Sequence, residues 1–97
     1  MPDNDHQFQK ALFLLDGGEV ERGEATLRDV LSAAAHAKDD ALLATARCCL
    51  GELLVELNRW HEAIPLLKAV AALDEYDDLF AHDRRQAIQL LRRMGEA

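Results

Sequence analysis

Laid over itself with a shift of 40 residues, the chain matches small residues to small ones and large apolar residues to large apolar ones. Ala11 falls on Gly51 and Leu14 on Leu54. Val20 then falls on Trp60, Gly23 on Ala63, Leu27 on Leu67 and Val30 on Val70. On either side of a central break these positions follow three- and four-residue steps, the spacing that keeps side chains on one helical face. The match predicts a helical hairpin used twice, whose apolar faces are buried by stacking one unit on the next.

Helical spacing extends along the rest of the chain. Phe8, Ala11, Leu12 and Leu15 share the face of a first helix, which Asp16 and Gly17-Gly18 end. Val20, Gly23, Leu27, Val30, Leu31 and Ala34 define a second, and His36 to Asp40 connects it to a third. Asp39 or Asp40 supplies the capping carboxylate there. The third helix runs from about Ala41 to Leu57 on Leu43, Ala46, Leu50, Leu53, Leu54 and Leu57. Asn58 is read as the cap of a fourth, with Trp60, Ala63, Ile64, Leu67, Val70 and Ala71 as its buried stripe. Pro65 within it predicts a local bend. The turn Asp74 to Asp78 leads into a fifth helix carrying Leu79, Phe80, Ala87, Ile88, Leu91 and Met94.

No stretch alternates with period two, so the fold class is all-α with five helices. Aromatic residues are only 5% of a chain that is 49% apolar, so Leu, Ala, Val and Ile must form the core. Those residues suit interlocking helices better than sheets as a set. A length of 97 residues predicts one domain. Its parts are a first hairpin over about 5–36, a second over about 40–73 and a closing helix over about 78–94.

The run Leu50-Gly51-Glu52-Leu53-Leu54-Val55-Glu56-Leu57-Asn58-Arg59-Trp60-His61-Glu62-Ala63-Ile64 resembles the core of the tetratricopeptide repeat family. There a large and a small residue precede a second large one, then come a short turn, an aromatic, and a small residue that lets the helices touch. The resemblance covers about Gln7 to Ala71, and the fifth helix looks like the first half of a third repeat. The period departs from the family's about 34 residues. The first copy has Lys10 where Leu50 stands and Val20 in place of the aromatic, and the family's later proline is missing from both copies. The resemblance implies hairpins stacked as a short right-handed superhelix. Ala11, Leu14, Val20, Gly23 and Leu27 would then pack the first repeat, and Leu50, Gly51, Leu54, Trp60, Ala63 and Leu67 the second.

In that family the first helix of each hairpin lines a concave groove that holds peptides or partner helices. By helical phase the groove here takes Asp5, Phe8, Leu12, Leu15 and Asp16 from the first helix. The third offers Thr45, Cys48, Glu52, Val55 and Glu56, and the fifth Arg85, Ile88 and Arg92. An apolar strip beside carboxylates suits a protein partner whose segment carries basic residues next to its apolar anchors. Arg85 and Arg92 alone do not make the family's clamp for acidic peptide tails. The same strip also suits a homodimer seam, in which case the chain is a structural or accessory subunit. The two readings stand side by side.

Other classes find little support in the sequence. The formal net charge is −7, the wrong sign for unspecific attraction to nucleic acid or an anionic membrane. Arg84, Arg85, Arg92 and Arg93 do gather near the C-terminus, and pairing with nearby or partner carboxylates explains them more economically than nucleic acid. The opening Met-Pro-Asp-Asn-Asp-His lacks a basic flank and an apolar signal core, and Ala11 to Leu15 is too short to span a bilayer. Adjacent Cys48 and Cys49 give no loop-closing disulfide, which favours a cytoplasmic setting. They point about 100° apart on a helix and cannot jointly grip an ion, so they read as packing thiols with Cys48 the more reachable. His6, His36, His61 and His82 share no metal-ligand spacing. Glu52 and Glu56 share a face, but no Glu-x-x-His accompanies them. Gly17-Gly18 lacks the phosphate-loop continuation. The expectation is a binding protein without catalytic residues, metal or cofactor.

Overall fold

The structure, a computed structural model, describes residues 4–96. Met1–Asp3, part of the opening read above for targeting, lie outside them. The described residues are all-helical: α1 (Asn4–Asp16), α2 (Val20–Ala37), α3 (Asp40–Glu56), α4 (Trp60–Ala71), a 3-10 turn (Asp78–Phe80) and α5 (Ala81–Arg93). They form two compact units, Met1–Ala46 and Arg47–Ala97, so α3 begins in the first and ends in the second. No helix among the described residues is long and apolar enough to cross a membrane.

The first three helix breaks are built alike. Gly18, Lys38 and Asn58 each sit in the left-handed region, at φ of 81°, 55° and 60°. Each donates its N–H to the carbonyl three residues back, on Leu15, Ala35 and Val55, at 3.0, 3.2 and 3.0 Å. The next residue, Glu19, Asp39 or Arg59, reaches back five residues to Leu14, Ala34 or Leu54 at 2.9, 2.9 and 2.8 Å. These bonds satisfy carbonyls that a helix end would otherwise leave without partners. Leu14, Ala34 and Leu54, whose carbonyls accept the longer bonds, are buried.

The capping expectations fare differently. Asp39 does cap α3, its Oδ1 accepting from the Leu42 amide at 3.1 Å. Asn58 does not cap α4: it carries the left-handed turn that ends α3. Arg59 takes the N-cap place without a side-chain cap bond. Its guanidinium instead grips Glu62 through two hydrogen bonds of 2.6 and 2.9 Å.

In the first unit α1 and α2 run antiparallel. Phe8, near the start of α1, packs with Val30 and Ala34 near the end of α2, and with Leu42 and Ala46 of α3. Leu15, at the end of α1, lies over Gly23 at the start of α2. A Cβ there would stand 2.5 Å from Leu15 Cδ2. A side chain at that position is therefore accommodated only if Leu15 moves aside. Ala11, Leu14 and Leu27 are buried along the seam.

In the second unit the close approach falls on Gly51 of α3, where a Cβ would meet Leu67 Cδ2 of α4 at 2.7 Å. Leu50, Leu54, Ala63, Leu67 and Val70 are buried, and Phe80, Ala87, Leu90 and Leu91 carry the core into α5. Three expected core residues are not in it. Trp60 is 42% exposed. Its indole N–H donates to the Val55 carbonyl at 3.3 Å, so the ring closes the turn rather than filling the core. Leu57 and Leu79 are exposed as well. Leu79 lies in the 3-10 turn next to the buried Phe80. α4 runs through Pro65, which sits at an exposed position.

Candidate interaction surfaces

In the first unit α1 carries two distinct surfaces. One is a hollow of about 370 Å³ beside the start of α3, which brings together Asp5, Phe8 and Thr45 with Asp39, Ala41 and Leu42. Three of the sequence-selected residues meet there. The other is the outward face of α1, where His6, Gln9, Lys10, Phe13 and Asp16 recur at helical spacing. With Leu12 they line an open hollow of about 510 Å³. Phe13 is 77% exposed, the most exposed of this unit's large apolar side chains among the described residues. Sequence reasoning passed over it because it falls outside the Ala11–Leu14 stripe, yet that same phase is the signal that it faces out. Leu15, selected for the groove, spends its side chain on Gly23 inside the hairpin.

In the second unit Glu52 of α3 faces α5. Its Oε2 accepts from Gln86 Nε2 at 2.6 Å. Arg85 and Arg93 stand beside this pair in a hollow of about 240 Å³, with His82, Gln89 and Leu90 completing the wall. Ile88 and Val55 are half-buried, and Glu56 and Arg92 are exposed. Cys48 departs from expectation. It is 2% exposed, with its thiol 3.7 Å from the Asp83 carbonyl, and therefore lines no groove. Cys49 is the more accessible of the two. α3 is buried on more sides than a single apolar stripe implies, and this takes in Cys48.

The thiols are the groups whose acidity the fold clearly changes. Burial, reinforced by Asp83, Cys49 and Glu52, pushes Cys48 up from 9.0 to about 12. Burial followed by Asp83 and Glu52 pushes Cys49 up to about 11. Both are neutral thiols at physiological pH, without the thiolate that nucleophilic chemistry needs. Among the described residues no group of three His, Cys, Asp or Glu side chains stands close enough to share a metal ion.

The C-terminal arginines divide into two sets. Arg84 is engaged within the unit, donating to the Leu73 carbonyl at 3.2 Å and standing 3.6 Å from a Glu75 carboxylate oxygen. Arg85, Arg92 and Arg93 have no ion-pair partner among the described residues. The expected pairing with the acidic turn thus holds for one arginine of four. Compared with known proteins, the chain matches no protein-family model, no curated protein and no solved structure.

Proposed function

We propose that this chain is a protein-interaction module, an adaptor or chaperone-like binder, which holds a partner segment against the outward face of α1. The observation that carries the reading is Phe13, 77% exposed beside Leu12 in an open hollow. Water around a large exposed ring is released when an apolar anchor covers it. Asp16 and Lys10 flank the ring on opposite sides of the hollow, so a basic residue next to the partner's apolar anchor pairs with Asp16 and an acidic one with Lys10. The paired hairpins with small residues at their crossings, Gly23 and Gly51, support a reading as degenerate tetratricopeptide-like repeats. A reducing, cytoplasmic setting fits two thiols that are both unbridged.

The test is Phe13→Glu with affinity capture from the source cell. Capture of the partner is abolished while helical circular dichroism and melting temperature stay at wild-type values. Undiminished capture by the variant would sink the proposal. Leu15→Glu is not a clean probe, because it places a carboxylate on the tight contact with Gly23.

A further inference from the structure

The loop before α5 and the exposed face of α5 carry opposite charge, and they follow one another along the chain. The loop holds Asp74, Glu75, Asp77 and Asp78 around Tyr76, which is 86% exposed. Two local bonds shape it: Asp74 Oδ1 accepts from the Tyr76 amide at 2.9 Å, and Asp77 Oδ1 from the Leu79 amide at 3.0 Å. Tyr76 and Leu79, the latter 62% exposed, stand in water at this loop.

The exposed face of α5 has the reverse character. His82, Arg85, Gln89, Arg92 and Arg93 are its exposed residues, with no carboxylate of α5 among them; Glu52 of α3, which borders Arg85 and Arg93, is engaged by Gln86. Asp83, the acidic residue of this helix, is half-buried beside Cys48. α5 is 13 residues long, which separates the acidic start from Arg92 and Arg93 by about 20 Å.

An element with an acidic, aromatic start and a basic end is complementary to itself when reversed. We infer that the occupant of this face is a second copy of the chain, laid antiparallel across a two-fold axis. The Asp74–Asp78 loop of each copy then meets Arg92 and Arg93 of the other. A two-fold contact repeats every interaction, so one favourable loop-to-helix pairing is gained twice. Tyr76 offers its ring face to a guanidinium flanked by carboxylates, the environment in which arginine stacks and hydrogen-bonds together. Each copy carries a net charge of −7, but repulsion between whole molecules is screened beyond about 8 Å at physiological salt, whereas paired groups lie closer. A nucleic acid is the poorer occupant, because the Glu52 carboxylate stands beside Arg85 and Arg93 in the same hollow. One helix and one loop per copy bury less than the about 1,200 Å² of a tight interface, so the dimer is weak and concentration-dependent.

The experiment is sedimentation equilibrium of the full chain across the micromolar range, with a charge swap. Glu75→Lys/Asp78→Lys spares both capping aspartates, Glu75→Ala controls for loss of the pair with Arg84, and Arg92→Glu/Arg93→Glu lies on the exposed face. Each double variant alone loses the dimer, with a dissociation constant raised about tenfold or more. Mixed in equal amounts, the two recover a heterodimer, because the lysines introduced in the loop of one chain now face the glutamates introduced on α5 of the other. Tyr76→Ala, which disturbs neither loop bond, also weakens self-association. Phe13→Glu leaves the dimer unchanged, which separates this inference from the binding surface on α1. A wild-type chain that stays monomeric throughout overturns the proposal. So does a mixture that remains monomeric while the wild type dimerises, or an oligonucleotide that binds the arginine face of a monomer.

Discussion

Gly51→Ala and Gly23→Ala make the same chemical change at the crossings of two different hairpins, and the structure gives them different outcomes. At Gly23 the new Cβ would stand 2.5 and 2.6 Å from Leu15 Cδ2 and Cγ. At Gly51 it would stand 2.7 and 2.8 Å from Leu67 Cδ2 and Cγ. By distance alone the first substitution is the worse. The obstructing side chains differ, however, in their freedom to yield. Leu15 is half-buried and can swing toward solvent, whereas Leu67 is fully buried and packed on every side. Replacing a helical glycine by alanine gains up to about 1 kcal/mol of helix propensity, and overpacking a rigid core costs about 1–3 kcal/mol. For Gly23→Ala the two nearly cancel, leaving a change within about 0.5 kcal/mol. For Gly51→Ala the clash dominates, for a net loss of about 1–2 kcal/mol and a melting temperature lower by about 5–15 °C. Thermal and urea unfolding of both variants measure the difference. In a Leu67→Val background the cost of Gly51→Ala should fall by about 0.5 kcal/mol or more, as the coupling of touching residues requires. Equal stability of the two alanine variants would refute the reasoning that burial of the neighbour, rather than nominal distance, sets the cost.

Lys38 holds a left-handed φ of 55° that glycine adopts without a Cβ penalty. Lys38→Gly should therefore stabilise the chain by about 0.5–1 kcal/mol in urea titration. Asp39→Ala removes the acceptor for the Leu42 amide and should cost about 1 kcal/mol, while Asp39→Asn retains most of it. The raised thiols predict an alkaline limb of instability: the unfolded chain loses its thiol protons near pH 9, while Cys48 and Cys49 keep theirs until about 12 and 11. Stability is intact below that range and falls as pH climbs through it, by at most about 1.4 kcal/mol per pH unit per thiol. Cys48→Ala should flatten the decline in melting temperature. Phe13→Glu, at an exposed site, should change stability by less than about 0.5 kcal/mol.

The helices were legible because their evidence is local. Three- and four-residue spacing marks a buried stripe wherever one exists, and Gly17-Gly18 and Asp39 announce their turns through known backbone chemistry. What escaped depends on neighbours that periodicity does not name. α3 is covered on several sides, so assigning it one apolar stripe put Cys48 at a surface when it is buried against the Asp83 backbone. Trp60 has the size of a core residue, but its indole needs an acceptor and finds one at the turn. Asn58 suits either side of a helix boundary. The left-handed conformation decided its side, and Arg59 shows that a cap place can be filled without a capping side chain. Of the surface, Asp5, Phe8 and Thr45 were selected together and do meet. Phe13 and Tyr76 were missed because an outward aromatic breaks the pattern that periodicity seeks.

The left-handed residues Gly18, Lys38 and Asn58 stand 20 positions apart, half the shift at which the sequence matches itself. Twenty residues therefore make one stroke of the chain, a helix followed by a reversal, and the family of longer or shorter versions has a parity. Duplicating a single stroke would send every later helix in the opposite direction and exchange the ends from which partners or further chain depart. Duplicating two would restore both direction and small-residue register, with Gly51 and Gly23 equivalents again at their crossings. Insertions in this architecture are counted in pairs of strokes, a rule that engineered 20- and 40-residue duplications would put directly to the test.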